Sequence, residues 1–147
     1  MSLLRPGRPA EPPVRLLHSA ASEGEAAVSP DGRWLAFASN ESGREEVYVV
    51  SLPDAKLKYQ VTTQGGRHPV WTRGGRELFF LTPGYSIAAV PVALGESLAF
   101  GSPATLFPHP RPSWGIGADE VIFDASADGN RVVLLGPESP GSQALLV

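Results

Sequence analysis

The chain carries three histidines, His18, His68 and His109, and no cysteine. A histidine metal site of the common kind needs ligands at close spacing such as His-x-x-x-His, and none of the three has it. The lack of thiols excludes disulfides, thiolate metal centres and cysteine nucleophiles together. Ser-His-Asp hydrolysis on an α/β scaffold needs a Gly-x-Ser-x-Gly elbow, and the sequence contains none. Gly115-Ile116-Gly117, with Gly101 and Gly136, lacks both a third spaced glycine and a Walker lysine, so a phosphate-cradling loop is not expected. Asp31 and Asp128 are candidates for paired acid-base carboxylates, but each sits in the same short motif of a different sequence repeat and reads as a turn former. We expect no metal, no cofactor and no catalysis from this chain. The remaining chemistry is recognition: an acidic run of Glu23, Glu25, Glu41, Glu45 and Glu46, read as a solvated face, and a loop carrying Arg111 and Trp114.

Short apolar runs must position these residues. Leu35-Ala36-Phe37-Ala38, Val47-Tyr48-Val49-Val50, Leu78-Phe79-Phe80-Leu81, Ile87-Ala88-Ala89-Val90 and Val132-Val133-Leu134-Leu135 have strand length, and most are rich in β-branched or aromatic residues. Gly 16 and Pro 15 punctuate them. The one helical competitor, Tyr85 to Phe100, is broken by Pro91 and Gly95, so almost no helix is expected. Apolar residues on consecutive positions mean strands covered on both faces, which requires stacked sheets. With 147 residues and 42% hydrophobic content the chain has enough material for a core. A net charge of −3 with scattered Lys and Arg gives no electrostatic footprint for nucleic acid or an anionic membrane. The start, Met1 to Pro6, lacks the apolar stretch of a secretion signal, and no run is long enough to span a bilayer as a helix.

An internal repeat organises the strands. Ser29-Pro30-Asp31-Gly32-Arg33-Trp34-Leu35 aligns with Thr72-Arg73-Gly74-Gly75-Arg76-Glu77-Leu78 and with Ser126-Ala127-Asp128-Gly129-Asn130-Arg131-Val132. The first spacing is 43 residues and the second 54, the difference falling in the Pro-rich stretch Pro108 to Glu120. A period of roughly 40–45 residues is that of a four-stranded propeller blade.

The stretch from Ala27 to Phe37, followed by Ser39-Asn40-Glu41-Ser42-Gly43 and Val47-Tyr48-Val49, resembles the Pro-Asp repeat of TolB-like and WD40-like bacterial β-propellers. The likeness covers roughly Val14 to Val147 and departs at Arg73-Gly74, where Pro-Asp is replaced. It implies an all-β chain of four-stranded antiparallel meanders, each running A to D outward. Residues 1–13 read as a Pro-rich tail or leader and 14–147 as a partial propeller. In it, 14–18 is an outer strand of a split blade, 26–63 blade one, 69–107 blade two and 121–147 an incomplete blade three. About three blades' worth of strands falls short of the four to eight of a closed ring. Exchange of the two terminal strands between copies would give a six-bladed homodimer.

The resemblance also implies a face for proteins or peptides, where the loops into strands A and between strands B and C lie together. Those loops hold Glu23, Asn40, Glu41, Arg67, His68, Arg111 and Trp114. The expected function is therefore a non-enzymatic protein- or peptide-binding, self-assembling module, with a bacterial envelope location favoured by the likeness. The competing class is an accessory propeller of a larger enzyme, either a prolyl-oligopeptidase-type peptidase or a bacterial kinase sensor.

Overall fold

The computed structural model describes residues 2–3, 14–15, 23–107, 122–135 and 145–146. The protein is all-β: among the described residues the sole helical segment is a single 3-10 turn at Arg73–Gly75. At the amino end β1 (Ser2–Leu3) pairs antiparallel with β2 (Val14–Arg15). The strand expected at 14–18 thus has a neighbour within its own chain, in the segment read above as a tail. The first main sheet runs in chain order through β3 (Glu23–Val28), β4 (Trp34–Ser39), β5 (Glu46–Ser51) and β6 (Lys58–Gln60). The second runs through β7 (Arg67–Thr72), β8 (Glu77–Leu81) and β9 (Ile87–Ala93). Its outer strand comes in two pieces, β10 (Ala99–Phe100) and β11 (Ala104–Phe107), both paired with β9. The third sheet is β12 (Ile122–Ala125), β13 (Arg131–Leu135) and β14 (Leu145–Leu146). All ladders are antiparallel, and the described strands form separate sheets with no closed ring.

The split of the outer strand has a local cause. The Gly101 N–H donates to the Pro91 carbonyl at 2.9 Å. In an antiparallel pair a residue's N and C=O point to the same side, so the donor that Pro91 lacks falls towards this outer strand, where pairing stops. A Cβ at Gly101 would lie 3.1 Å from the Pro91 ring, so any side chain there would press on the ring.

Strand parity then distributes the core. Trp34, Ala36, Val47 and Val49 from the first sheet meet Trp71, Leu78, Phe80, Ala88, Val90 and Val92 from the second. The alternate residues of the second sheet, Phe79, Leu81, Ile87 and Ala89, meet Phe123 and Val132 of the third. All four residues from Leu78 to Leu81 are therefore buried, each contributing about 1.5–3 kcal/mol relative to exposure. Two polar contacts tie sheet to sheet within this apolar packing. Trp71 Nε1–H donates to the Ala27 carbonyl at 3.0 Å, and the Leu98 N–H donates to Tyr59 Oη at 3.1 Å. Trp34 and Trp71 are both buried in this core.

The repeated motif forms the same turn twice. The Ser29 hydroxyl donates to Asp31 Oδ1 at 2.6 Å and accepts the Trp34 N–H, while Asp31 Oδ1 also accepts the Arg33 N–H. Ser126, Asp128, Asn130 and Arg131 reproduce every one of these bonds. Gly32 and Gly129 take φ of +75° and +71°, the left-handed region that reverses the chain. The middle repeat has no aspartate and makes its turn with positive φ at Arg73, Gly74 and Gly75 instead. The three turns abut at one end of the stack. A Cβ at Gly75 would lie 3.7 Å from Pro30, and the Arg73 N–H donates to the Ala127 carbonyl at 2.7 Å.

Two outcomes follow from the turns. A Cβ at Gly32 meets nothing within 4 Å, so Gly32→Val should cost only its backbone strain, about 1–2 kcal/mol by urea denaturation. The Ser29 hydroxyl and the Arg33 N–H hold the Asp31 carboxyl below its ordinary pKa, and Ser126 and Asn130 do the same for Asp128. A depressed folded-state pKa stabilises above the unfolded-chain value and is lost as pH falls through the folded one. Acid titration of stability should therefore fall below the ordinary carboxylate range, and the double variant Asp31→Asn, Asp128→Asn should flatten that fall.

Candidate functional site

The end opposite the three turns is built from the 40–45 loop between β4 and β5, the 61–66 segment between β6 and β7, and the 82–86 loop between β8 and β9. Main-chain bonds join the first two: the Gly66 N–H donates to the Glu45 carbonyl at 3.0 Å. A buried carboxylate completes the junction. Glu46, only 2% exposed, accepts from Arg44 Nε at 2.8 Å, from the Thr62 hydroxyl, and from the Gly65 N–H at 3.1 and 3.0 Å. Arg44 Nη2 also donates to the Thr63 carbonyl. Both carboxylate oxygens are thereby hydrogen-bonded, as a buried charge requires.

This corrects the reading of Glu46 as part of a solvated acidic face. Glu46 shares strand parity with Tyr48 and Val50, so it points inward, while Glu45 is exposed. The consecutive apolar run Val47 to Val50 carried the signal, because it means that both faces of this strand are covered.

His68 fastens all three sheets. Its backbone N–H donates to Glu25 Oε2 at 2.6 Å, and its ring Nε2 lies 2.9 Å from the Phe123 carbonyl. A carbonyl only accepts, so Nε2 carries the proton. Nδ1 is 3.4 Å from Glu25 Oε1, a contact not aligned as a hydrogen bond. Both residues sit on bulges, with φ of +54° at His68 and +48° at Glu25, where the β3–β4 and β7–β8 registers shift. The two bulges are 43 residues apart, the spacing of the turns. Backbone strain of this kind persists where neighbours over-determine it, and here the Glu25 carboxylate and the Phe123 carbonyl do so.

Beside these clasps lies a cleft of about 380 Å³. Arg44 and Glu45 line one side, Gly65, Gly66 and Arg67 the other, with Leu81 and Pro83. A second cleft of about 410 Å³ shares Gly65 with the first and is lined by Thr62, Thr63, Gln64, Thr82 and Thr105 with Phe80. No charged side chain lines that second cleft.

Among the expected binding residues, Arg67 lines the first cleft and His68 follows it in β7. Glu23 opens β3 opposite Ser39, which places it beside Asn40 and Glu41 at the same end. The Glu41 carboxylate is engaged by Lys58 Nζ at 2.6 and 2.7 Å, and Lys58 lies over the Tyr48 ring at 5.1 Å. Arg111 and Trp114, like His18 and His109, lie outside the described residues. Arg44, Gly65, Gly66 and Pro83 were not singled out from sequence, and Glu45 was read only as part of the acidic run, because nothing local marks a loop residue that becomes a wall only when sheets stack. Among the described residues no three His, Asp or Glu side chains gather as metal ligands, and no helix is long and apolar enough to cross a membrane.

No protein-family model matches the chain, and no curated protein matches it. The geometry of the loop end therefore carries the functional argument.

Glu46→Ala would leave the Gly65 N–H and the Thr62 hydroxyl without their acceptor inside the junction. It should cost roughly 2–3 kcal/mol in urea unfolding, whereas the exposed Glu45→Ala should stay within about 0.5 kcal/mol.

Proposed function

We propose that this chain is a set of propeller-type blades of the TolB-like and WD40-like kind, acting as a non-enzymatic protein- or peptide-binding module. The observation that carries the reading is the convergence of the 40–45, 61–66 and 82–86 loops at one end of the sheet stack, around a preformed cleft held by Glu46 and His68. A binding loop gains affinity when its ordering cost is met before the partner arrives, and these loops are tied down by buried polar contacts. The repeated Ser-Asp turns, the 43-residue spacing and the face-to-face order of three antiparallel meanders support the blade reading.

Self-association belongs to the same proposal. Val133 on the third sheet is 45% exposed, and a sheet at the end of a stack offers its outer face to another blade. Two copies would supply six blades, within the range of closed rings. The β1–β2 pairing occupies one edge of the 14–18 strand, and exchange between copies would use the other.

Two measurements test the reading. In an amide NMR titration of the full chain with a mixed peptide library, shifts should concentrate at residues 40–45, 61–68 and 82–86. Shifts confined to the turn end around Asp31, Gly74 and Asp128 would overturn it. Sedimentation should give a mass near twice the 15.5 kDa of one chain. A stable monomer at high concentration would remove the assembly half of the proposal.

A further inference from the structure

We infer that the cleft between Arg44 and Arg67 is a carboxylate-recognition subsite that selects acidic peptide segments; this rests on the binding-module reading and names its ligand chemistry.

The guanidinium of Arg44 is fixed before any ligand arrives. Its Nε–H is bonded to Glu46 and its Nη2 to the Thr63 carbonyl, so two of its five N–H donors are used and its plane is set. The other three meet no acceptor among the described residues, and the side chain is 54% exposed. Glu46 cannot swing out to cover that outer edge, because Thr62 and Gly65 hold both of its oxygens inside. A fixed guanidinium with an open edge suits a carboxylate, which it can meet through two parallel bonds.

The floor is equally constrained. A Cβ at Gly65 would lie 2.3 Å from Pro83, and one at Gly66 would lie 2.9 Å from Thr62 and 3.0 Å from Phe80, so only bare backbone fits. The two glycine amides are already committed to Glu46 and to the Glu45 carbonyl. Polar recognition therefore falls to side chains rather than to an amide nest.

Charge balance selects among anions. Arg44 and Arg67 line the cleft together with Glu45, and Arg44 is paired with the buried Glu46, so the local charges cancel. The cleft offers donors without a strong positive field, which favours a singly charged carboxylate over a doubly charged phosphate. Its volume of about 380 Å³ fits one or two side chains, with Pro83 as an apolar lip for a neighbouring residue. Glu45 is the built-in competitor at this edge.

The test uses the full chain and three tagged, capped hexapeptides: all glutamate, all glutamine, and one carrying phosphoserines. The glutamate peptide should bind at least about tenfold more tightly than the glutamine one, weaken with salt, and move the Gly65 and Gly66 amides. Glu45→Gln should tighten it several-fold. Arg44→Lys keeps a charge but loses the planar fork and should weaken binding about tenfold with the circular dichroism spectrum unchanged. If that variant loses its fold, Arg67→Gln should still weaken the glutamate peptide. Equal binding of glutamate and glutamine peptides, preference for the phosphoserine peptide, or indifference to both arginine variants would overturn the inference. Should the glutamate peptide fail while library peptides still shift the loop end, only the acidic preference is wrong. Should no peptide shift that end, the binding-module reading fails with it.

Discussion

The central sheet has no wet face, and the rest of the architecture answers to that constraint. Leu78, Phe79, Phe80 and Leu81 are consecutive in β8, so they point alternately to opposite sides and all four must be covered. The first sheet covers one side through Trp34, Ala36, Val47 and Val49, and the third covers the other through Phe123 and Val132. Removing either neighbour would expose large apolar residues on the middle sheet, so the three sheets are expected to unfold together rather than one by one. The same logic reaches the first sheet, whose second face carries the buried cluster of Leu35, Phe37, Tyr48 and Val50.

Apolar stacking is non-directional and does not by itself fix where one sheet lies along the next. Polar contacts supply that alignment at both ends of the stack. At the turn end, Arg73 bonds to the Ala127 carbonyl. At the loop end, His68 holds Glu25 on one side and Phe123 on the other, and the Glu46 cage locks the 61–66 segment against the 40–45 loop. The recognition proposed above falls at the loop end, whose loops are irregular enough to shape a cleft and are tied down enough to keep it. The turn end repeats a tight motif whose polar groups are already satisfied by one another.

Much of this was legible in the sequence. The apolar runs Leu35 to Ala38 and Val132 to Leu135 fall inside β4 and β13, and the Ser29 and Ser126 motifs announced their shared geometry through matching Ser, Asp and Gly at identical offsets. Pro91 correctly argued against a helix, yet it sits inside β9 because its missing donor faces a gap in the outer strand. What stayed hidden depends on contacts distant in sequence. The bulges at Glu25 and His68 are set by a bond across 43 residues, and neither residue type signals a positive φ. Ala99–Phe100 is too short to stand out without β9 beside it, and Ser2–Leu3 has no meaning as a strand until Val14–Arg15 is placed next to it. Glu46 looked solvated because it stands in a charged run, although its parity with Tyr48 already pointed it inward.

Double-sided coverage of the central sheet is tested most directly by native-state hydrogen exchange. The account predicts that the amides of β8 are among the slowest in the protein, exchange at the free energy of global unfolding, and share that value with the central strands β4 and β13. If β8 exchanged through a separate, lower-energy opening while the first sheet stayed protected, the sheets would be independent units and the stacking account would be contradicted.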